Sequence, residues 1–327
     1  MNELRDWIEP LKAMHARIRD TLVAACEATA MEQLATADTD REGDIIYAID
    51  RVSEEHLMEL LADFPPLVLI AEGLPNRGCV LPAGTAEADV AWRMIVDPID
   101  GTRGLMYQKR SAWILTGLAP NHGAETSLKD IQLAIQTEIP LMKQHLSDCV
   151  WWAEGEAVGA ERYNRISGET QALHLQPSTA DHLTHGFVSF SRFFPGMGTE
   201  TISKIEQAFG ERLVGEPTDG KALTFEDQYI SNAGQLYELM AGHDRFVADI
   251  RPLLRGENAP SARPYDLCTE KIARALGCIV TDASGRELDT PLDVLSPVSW
   301  VGYANAPIQD LAEPVLQEVL KAHGLAP

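Results

Sequence analysis

The chain has 327 residues, 45% of them hydrophobic and 23% charged, without a biased tract, which suits one large globular domain or two of ordinary size. Its 49 acidic and 27 basic residues give a formal net charge of −22, which argues against nucleic-acid backbone or an anionic membrane as a partner. No run approaches the roughly 20 apolar residues that span a bilayer, and Met1-Asn2-Glu3-Leu4-Arg5-Asp6 carries charge at once, so a cytoplasmic protein is expected.

The five cysteines, Cys26, Cys79, Cys149, Cys268 and Cys278, are scattered and form no C-x-x-C pair. That argues against zinc and disulfide frameworks alike and for reduced, mostly buried thiols.

Helical periodicity runs from about Leu4 to Leu34, with Trp7, Ile8, Leu11, Met14, Ile18, Leu22 and Val23 on one stripe and Pro10 as an early kink or boundary. Ala35–Gly43 is polar and reads as a loop. Asp44–Asp50 reads as a short buried element ending in an acid, and Ser53 as the cap of a helix through about Asp63. Leu67–Ala71 is unbroken apolar sequence, a core strand that ends at Glu72-Gly73. Leu74–Asp89 is loop-like. Trp92–Val96 is a second buried strand, Ala112–Leu118 and Ile131–Ile139 are further strands, and Val150–Asn164 suggests a hairpin.

In the second half, strand candidates Phe187–Phe190, Leu213–Val214 and Ile279–Thr281 alternate with helices Thr199–Phe209, Gln228–Ala241, Asp266–Leu276 and Pro307–His323. Arg251–Pro264 holds three prolines and reads as an irregular loop. The expected division is an N-terminal α+β domain over 1–180 and a C-terminal α/β domain over 181–327.

Chemistry concentrates where the strand Trp92–Val96 runs into Asp97-Pro98-Ile99-Asp100-Gly101-Thr102. Proline there is expected to end the ladder, and glycine lets backbone approach a ligand closely. Two carboxylates three residues apart at the end of a core strand are costly unless a positive charge lies between them. A hard divalent cation with oxygen ligands meets that need. Asp50, Glu72 and Asp266 also stand at the ends or starts of apolar elements. Singly, each reads as a cap or a solvated acid; together they suggest acids gathered on one sheet edge.

The hexapeptide, with Glu72 upstream and Asp266 downstream, resembles the inositol monophosphatase family, which belongs with the Mg²⁺-dependent, lithium-sensitive phosphatases. The resemblance implies an α/β fold, a layered α-β-α-β-α sandwich of the inositol monophosphatase/fructose-1,6-bisphosphatase type. It implies two or three Mg²⁺ ions held by Glu72, Asp97, Asp100, Asp266 and the carbonyl of Ile99. Asp50, Thr102 and Glu72 would orient the catalytic water; Asp100, Gly101, Thr102 and Asp249 would contact phosphate or substrate. The implied activity is hydrolysis of a small polyol or sugar phosphate by a homodimer. A 3′(2′),5′-bisphosphate nucleotidase, a fructose-1,6-bisphosphatase and a non-catalytic binding protein are the alternatives.

The chain departs from the family pattern in several places. Gly73 stands where a second glutamate is usual, and Tyr265-Asp266-Leu267-Cys268-Thr269 replaces Trp-Asp followed by small residues. Arg41 stands near the usual lysine of the loop before Asp50, the segment Ile250–Pro264 is long, and Arg103 follows the hexapeptide, where a surface ion pair is the favoured reading.

Overall fold

The computed structural model describes residues 3–28, 37–39, 45–47, 57–72, 74, 78–196, 198–216 and 220–325, with 37–39 and 45–47 described as backbone only. Arg41, Asp50, Ser53 and Gly73 lie outside the described residues. Among the described residues no helix is long and apolar enough to cross a membrane.

Helix α1 (Ile8–Ala28) buries Leu11, Met14, Ile18, Leu22 and Val23 along the stripe that the periodicity predicts. Pro10 lies in the first turn of this helix, just after the 3-10 turn Leu4–Trp7 gives way to it, where proline is tolerated. Two short strands, β1 (Ala37–Thr39) and β2 (Ile45–Tyr47), pair antiparallel, so part of the expected loop is extended.

The remaining strands of the first half are β3 (Leu67–Ala71), β4 (Cys79–Leu81), β5 (Trp92–Asp100), β6 (Ala112–Pro120), β7 (Leu133–Ile139), β8 (Leu146–Ala153), β9 (Gly159–Asn164) and β10 (Thr170–Ala172). Among the described residues they form one sheet in the order β10-β9-β8-β7-β6-β5-β3-β4. Only β3 and β5 run parallel; every other neighbouring pair is antiparallel.

The second half contributes β11 (Phe187–Phe190), α3 (Thr199–Val214), α4 (Asn232–Met240), β12 (Asp244–Asp249), α5 (Arg251–Arg255), α6 (Pro264–Leu267), α7 (Glu270–Ala275), β13 (Ile279–Thr281), β14 (Trp300–Tyr303) and α8 (Ala306–Ala322). A five-residue helix α2 (Thr102–Met106) precedes β6. The second sheet has the order β11-β12-β14-β13. Leu213–Val214 is the last turn of α3 rather than a strand, and part of the segment after Ile250 is helical.

Three cores alternate with these elements, and they define a five-layered α-β-α-β-α sandwich. Side-chain alternation along each strand divides the large sheet between two of them. Met94 and Val96 of β5 pack with Leu11 and Ile18 of α1 and with Leu60 and Leu61, whereas Ile95 faces the other way. There Ile95, Trp113 and Leu115 meet Leu236 of α4, Leu267 of α6, Ile272 of α7 and Val247 and Trp300 of the small sheet. On the far side of the small sheet, Phe190, Phe246 and Tyr303 pack against Ile205 and Phe209 of α3 and Ile308 and Leu316 of α8.

One polar network is sealed beneath α1. His15, fully buried, has Thr137 Oγ1 at 2.9 Å from Nδ1 and Thr116 Oγ1 at 2.8 Å from Nε2. Burial pushes its pKa down to about 3, so the ring is neutral at ordinary pH.

Candidate functional site

The site begins with an irregularity in β5. Asp97 pairs with Leu115 of β6 and Asp100 pairs with Trp113, so three steps along β5 match two along β6. In a regular strand, residues three apart point to opposite faces; the extra residue returns Asp100 to the side of Asp97. Pro98, which cannot donate to a ladder, falls within this bulge. The strand therefore continues through the motif instead of ending at proline, as the sequence suggests.

Asp97, Asp100 and Asp266 are brought together: one oxygen from each lies within 4.8 Å of the others. Asp97 and Asp100 are buried, and Asp266 is half-buried. Asp97 Oδ1 accepts the Ile99 N–H at 2.9 Å. Asp100 Oδ2 accepts from the Ser231 hydroxyl at 2.8 Å and from the Ala233 N–H at 2.6 Å. Asp266 is the third residue of α6, not its N-cap, and its Oδ2 accepts the Arg263 N–H at 2.6 Å. The sequence did not mark Ser231 or Ala233 as site residues. Ser231 is legible as the N-cap of α4, but its contact with Asp100 spans the two halves of the chain.

A further positioning group lies behind these acids. The Asn232 side chain hydrogen-bonds Asp266, and Asn232 Oδ1 accepts the Trp300 indole N–H at 3.2 Å. Trp300 on β14 thus fixes the amide, and the amide holds the carboxylate.

The electrostatics are those of acids held together against their charge. Burial raises the Asp97 pKa well above the carboxylate range, and Asp100, Asp266 and Glu72 push it further. Asp266 is raised likewise, by burial first and then by Asp100 and Glu72. Asp100 is pushed up by burial to about 6, although the Ala233 N–H and Ser231 hydroxyl oppose the shift. Glu72 lies in the exposed turn after β3, near enough to influence Asp97, Asp266 and Tyr265.

These features suit a cation. Clustered, mutually repelling carboxylates form an all-oxygen donor set, the preference of a hard divalent ion such as Mg²⁺ rather than of zinc or copper. The neighbouring Cys268 thiol is pushed up by burial and then by Asp97 and Asp266.

The backbone beyond the acids is also specialised. Gly101 has φ +95°, and a Cβ built there would lie 3.1 Å from Ser231 Cβ and 3.3 Å from the Ile230 carbonyl oxygen. Thr102 Oγ1 donates to the Ile99 carbonyl at 3.0 Å. That proton is committed, so toward a further donor the hydroxyl presents lone pairs.

Asp249 is placed differently from the expected substrate ligand. It is fully buried, and its oxygens accept from Arg251 Nε at 2.8 Å, from Arg251 Nη2 at 2.6 Å and from the Ala262 N–H at 3.3 Å. An acid at the end of a strand is visible in sequence; its pairing with the arginine two residues later is not.

The sandwich has counterparts among solved structures. Leishmania major fructose-1,6-bisphosphatase in holo form superposes with a TM-score of 0.67 at 14% identity, over 94% of this chain and 92% of that one. The extragenic suppressor protein suhB of Bartonella henselae gives 0.66 at 15% identity, over 96% and 99% of the two chains. The IMPase of Thermotoga maritima gives 0.62 at 18% identity, over 98% and 100%. The fold is therefore the one that these three solved structures share. No family model and no curated protein matches the chain.

Proposed function

We propose that the chain is a Mg²⁺-dependent phosphomonoesterase acting on a small polyol or sugar phosphate. The observation that carries this reading is the cluster of buried Asp97 and Asp100 on bulged β5 with half-buried Asp266 of α6, one oxygen of each within 4.8 Å of the others. Its likeness in fold to inositol and fructose phosphatases supports the same reading.

Asp97, Asp100, Asp266, Glu72 and the Ile99 carbonyl would hold two or three ions. Bound there, Mg²⁺ would neutralise phosphate charge, acidify water and stabilise the departing alkoxide. The chain's own groups position the reactants. Thr102, its proton given to Ile99, accepts a hydrogen bond from the attacking water and so aims a lone pair at phosphorus. Glu72, at the exposed side of the cluster, takes up the proton that water loses, and Asp50 assists from the segment before it. The Gly101 and Thr102 amides hold phosphate oxygens where the absence of a side chain lets them approach. In this reading the enzyme is a cytoplasmic homodimer, and no covalent intermediate on the chain is needed.

The test is phosphate release from inositol monophosphates, fructose-1,6-bisphosphate, 3′-phosphoadenosine 5′-phosphate and simple sugar phosphates, with Mg²⁺ and with chelator. Release that needs Mg²⁺ is expected for one class. Release that is indifferent to chelator, or none from any ester, rejects the reading.

A further inference from the structure

Asp100 and Asp266 come to the acid cluster from opposite halves of the chain, one on β5 and one on α6. Asn232, the first residue of α4 and only 6% exposed, reaches both. Its backbone N–H bonds Asp100, alongside the Ser231 hydroxyl and the Ala233 N–H, and its side chain bonds Asp266. A single buried residue therefore spans the gap between two of the three acids.

The two ends of an asparagine amide have nearly the same shape, and only the nitrogen end can donate to a carboxylate. Trp300 decides which end that is. An indole N–H is a donor only, and at 3.2 Å it faces Asn232 Oδ1, which leaves Nδ2 for Asp266. The indole is held in turn. Trp300 is fully buried, and Gly302, two residues along β14 on the same face, gives its ring room. A Cβ at Gly302 would lie 3.0 Å from the ring carbon Cζ3 and would run into Leu239 of α4.

The surrounding frame does not depend on this amide alone. Gln136 of β7, fully buried, donates from Nε2 to the Ala233 carbonyl at 2.8 Å. Its Oε1 accepts from the hydroxyl of Thr269, between α6 and α7, at 3.0 Å. The first turn of α4 and the segment that carries Asp266 are thus fastened a second time. Removing the Asn232 amide should free the Asp266 carboxylate without parting the helices.

We propose that Asn232 and Trp300 are positioning residues for the cation site. Trp300 fixes which end of the amide meets the acids, and Asn232 sets the spacing of Asp266 from Asp100 on which cation affinity depends. The Trp300 indole also senses whether the site is filled, because hydrogen bonds in one chain polarise each other. The proposal rests on the Mg²⁺ reading of the acid cluster and deepens it, adding two residues that act through Asp266.

Calorimetric titration of the full chain with Mg²⁺ alone, without substrate, tests it. The proteins are the wild type, Asn232→Ala, Trp300→Phe and the double variant; phenylalanine keeps an aromatic ring and loses only the N–H donor and part of the bulk. Each single variant should raise the Kd for Mg²⁺ by about 10–100-fold, the scale for outer partners of ligating groups. The double variant should be no weaker than Asn232→Ala, since both changes break one relay. In an NMR spectrum of the indole N–H groups, the Trp300 signal is the one missing from Trp300→Phe. It should shift when Mg²⁺ is added to the wild type and stay in place in Asn232→Ala. A purely structural role would lower the Tm with chelator and leave the Kd unchanged. Should one single variant fail to fold, the other decides. Unchanged Kd in a folded single variant, or fully additive losses in the double variant, overturns the inference and leaves the Mg²⁺ reading intact. Absence of Mg²⁺ binding by the wild type rejects the Mg²⁺ reading, and this inference falls with it.

Discussion

Ser231 Oγ donates to Asp100 Oδ2 at 2.8 Å and accepts the Gly234 N–H at the same distance. One hydroxyl thus caps helix α4 and orients a carboxylate at the end of β5. Ser231→Ala removes both bonds, and we expect about 1 kcal/mol of lost stability from the cap. The metal requirement should shift as well, with the Mg²⁺ concentration for half-maximal activity rising about 10–100-fold, as for other outer partners of ligating groups. Ser231→Thr keeps the hydroxyl and should recover most of the metal response. A titration of activity against Mg²⁺ for the three proteins checks this, and equal midpoints would separate Ser231 from the site.

The acids store repulsion when no cation is present. Asp100 is raised to about 6 from 3.8, and Asp97 and Asp266 are raised further, so the folded state holds protons that the unfolded state has released. Metal-free stability from these groups is therefore present at low pH and is lost as pH rises above about 4 and through 6. His15 acts in the opposite sense, losing stability as pH falls from 6.5 toward about 3. Comparing thermal unfolding with Mg²⁺ and with chelator at each pH cancels the histidine contribution. The Mg²⁺-induced rise in Tm should be small near pH 5 and large above pH 7.

The same repulsion predicts a gain from removing a charge. Asp97→Asn should raise the Tm of the metal-free protein by roughly 2–4 °C per kcal/mol of relief and abolish the response to Mg²⁺. Thermal unfolding with chelator reads the first effect directly. A lower metal-free Tm would mean that hydrogen bonding from Asp97 to the Ile99 N–H outweighs the crowded charge.

Gly101 is the point of least tolerance in the backbone. At φ +95° an alanine would cost about 1–2 kcal/mol by conformation alone. Its Cβ would also press on Ser231, the partner of Asp100. Gly101→Ala should lower stability and raise the Mg²⁺ requirement together, whereas Gly123→Ala, with open space around it, should carry the conformational cost without the metal effect. Unfolding and activation curves of the pair distinguish the two contributions.

Much of this arrangement was legible in the residues themselves. Unbroken apolar runs marked β3 and most of β5, and a 3.6-residue stripe marked α1, because burial on two faces or one leaves a periodic record. Asp97, Asp100 and Asp266 stand out because acids bordering apolar elements are rare without a reason. What sequence could not supply was long-range pairing. β12 and β14 are short, and their pairing in the small sheet joins residues more than 50 positions apart. Leu213–Val214 looked like a strand only because the final turn of α3 ends on two apolar residues. Asp249 reads as an acid open to a ligand until Arg251 folds back onto it. Pro98 looked like a strand terminator because nothing local announces a bulge.

The most direct measurement is phosphate release as a function of Mg²⁺ concentration for the wild type, Asp97→Asn and Asp100→Asn, on the best ester found. The account predicts saturable Mg²⁺ dependence in the wild type. Both variants should remain folded and lose more than about 100-fold in rate, beyond what loss of an outer partner costs. Wild-type-like, Mg²⁺-dependent release by either variant would contradict the assignment of these acids as the cation site.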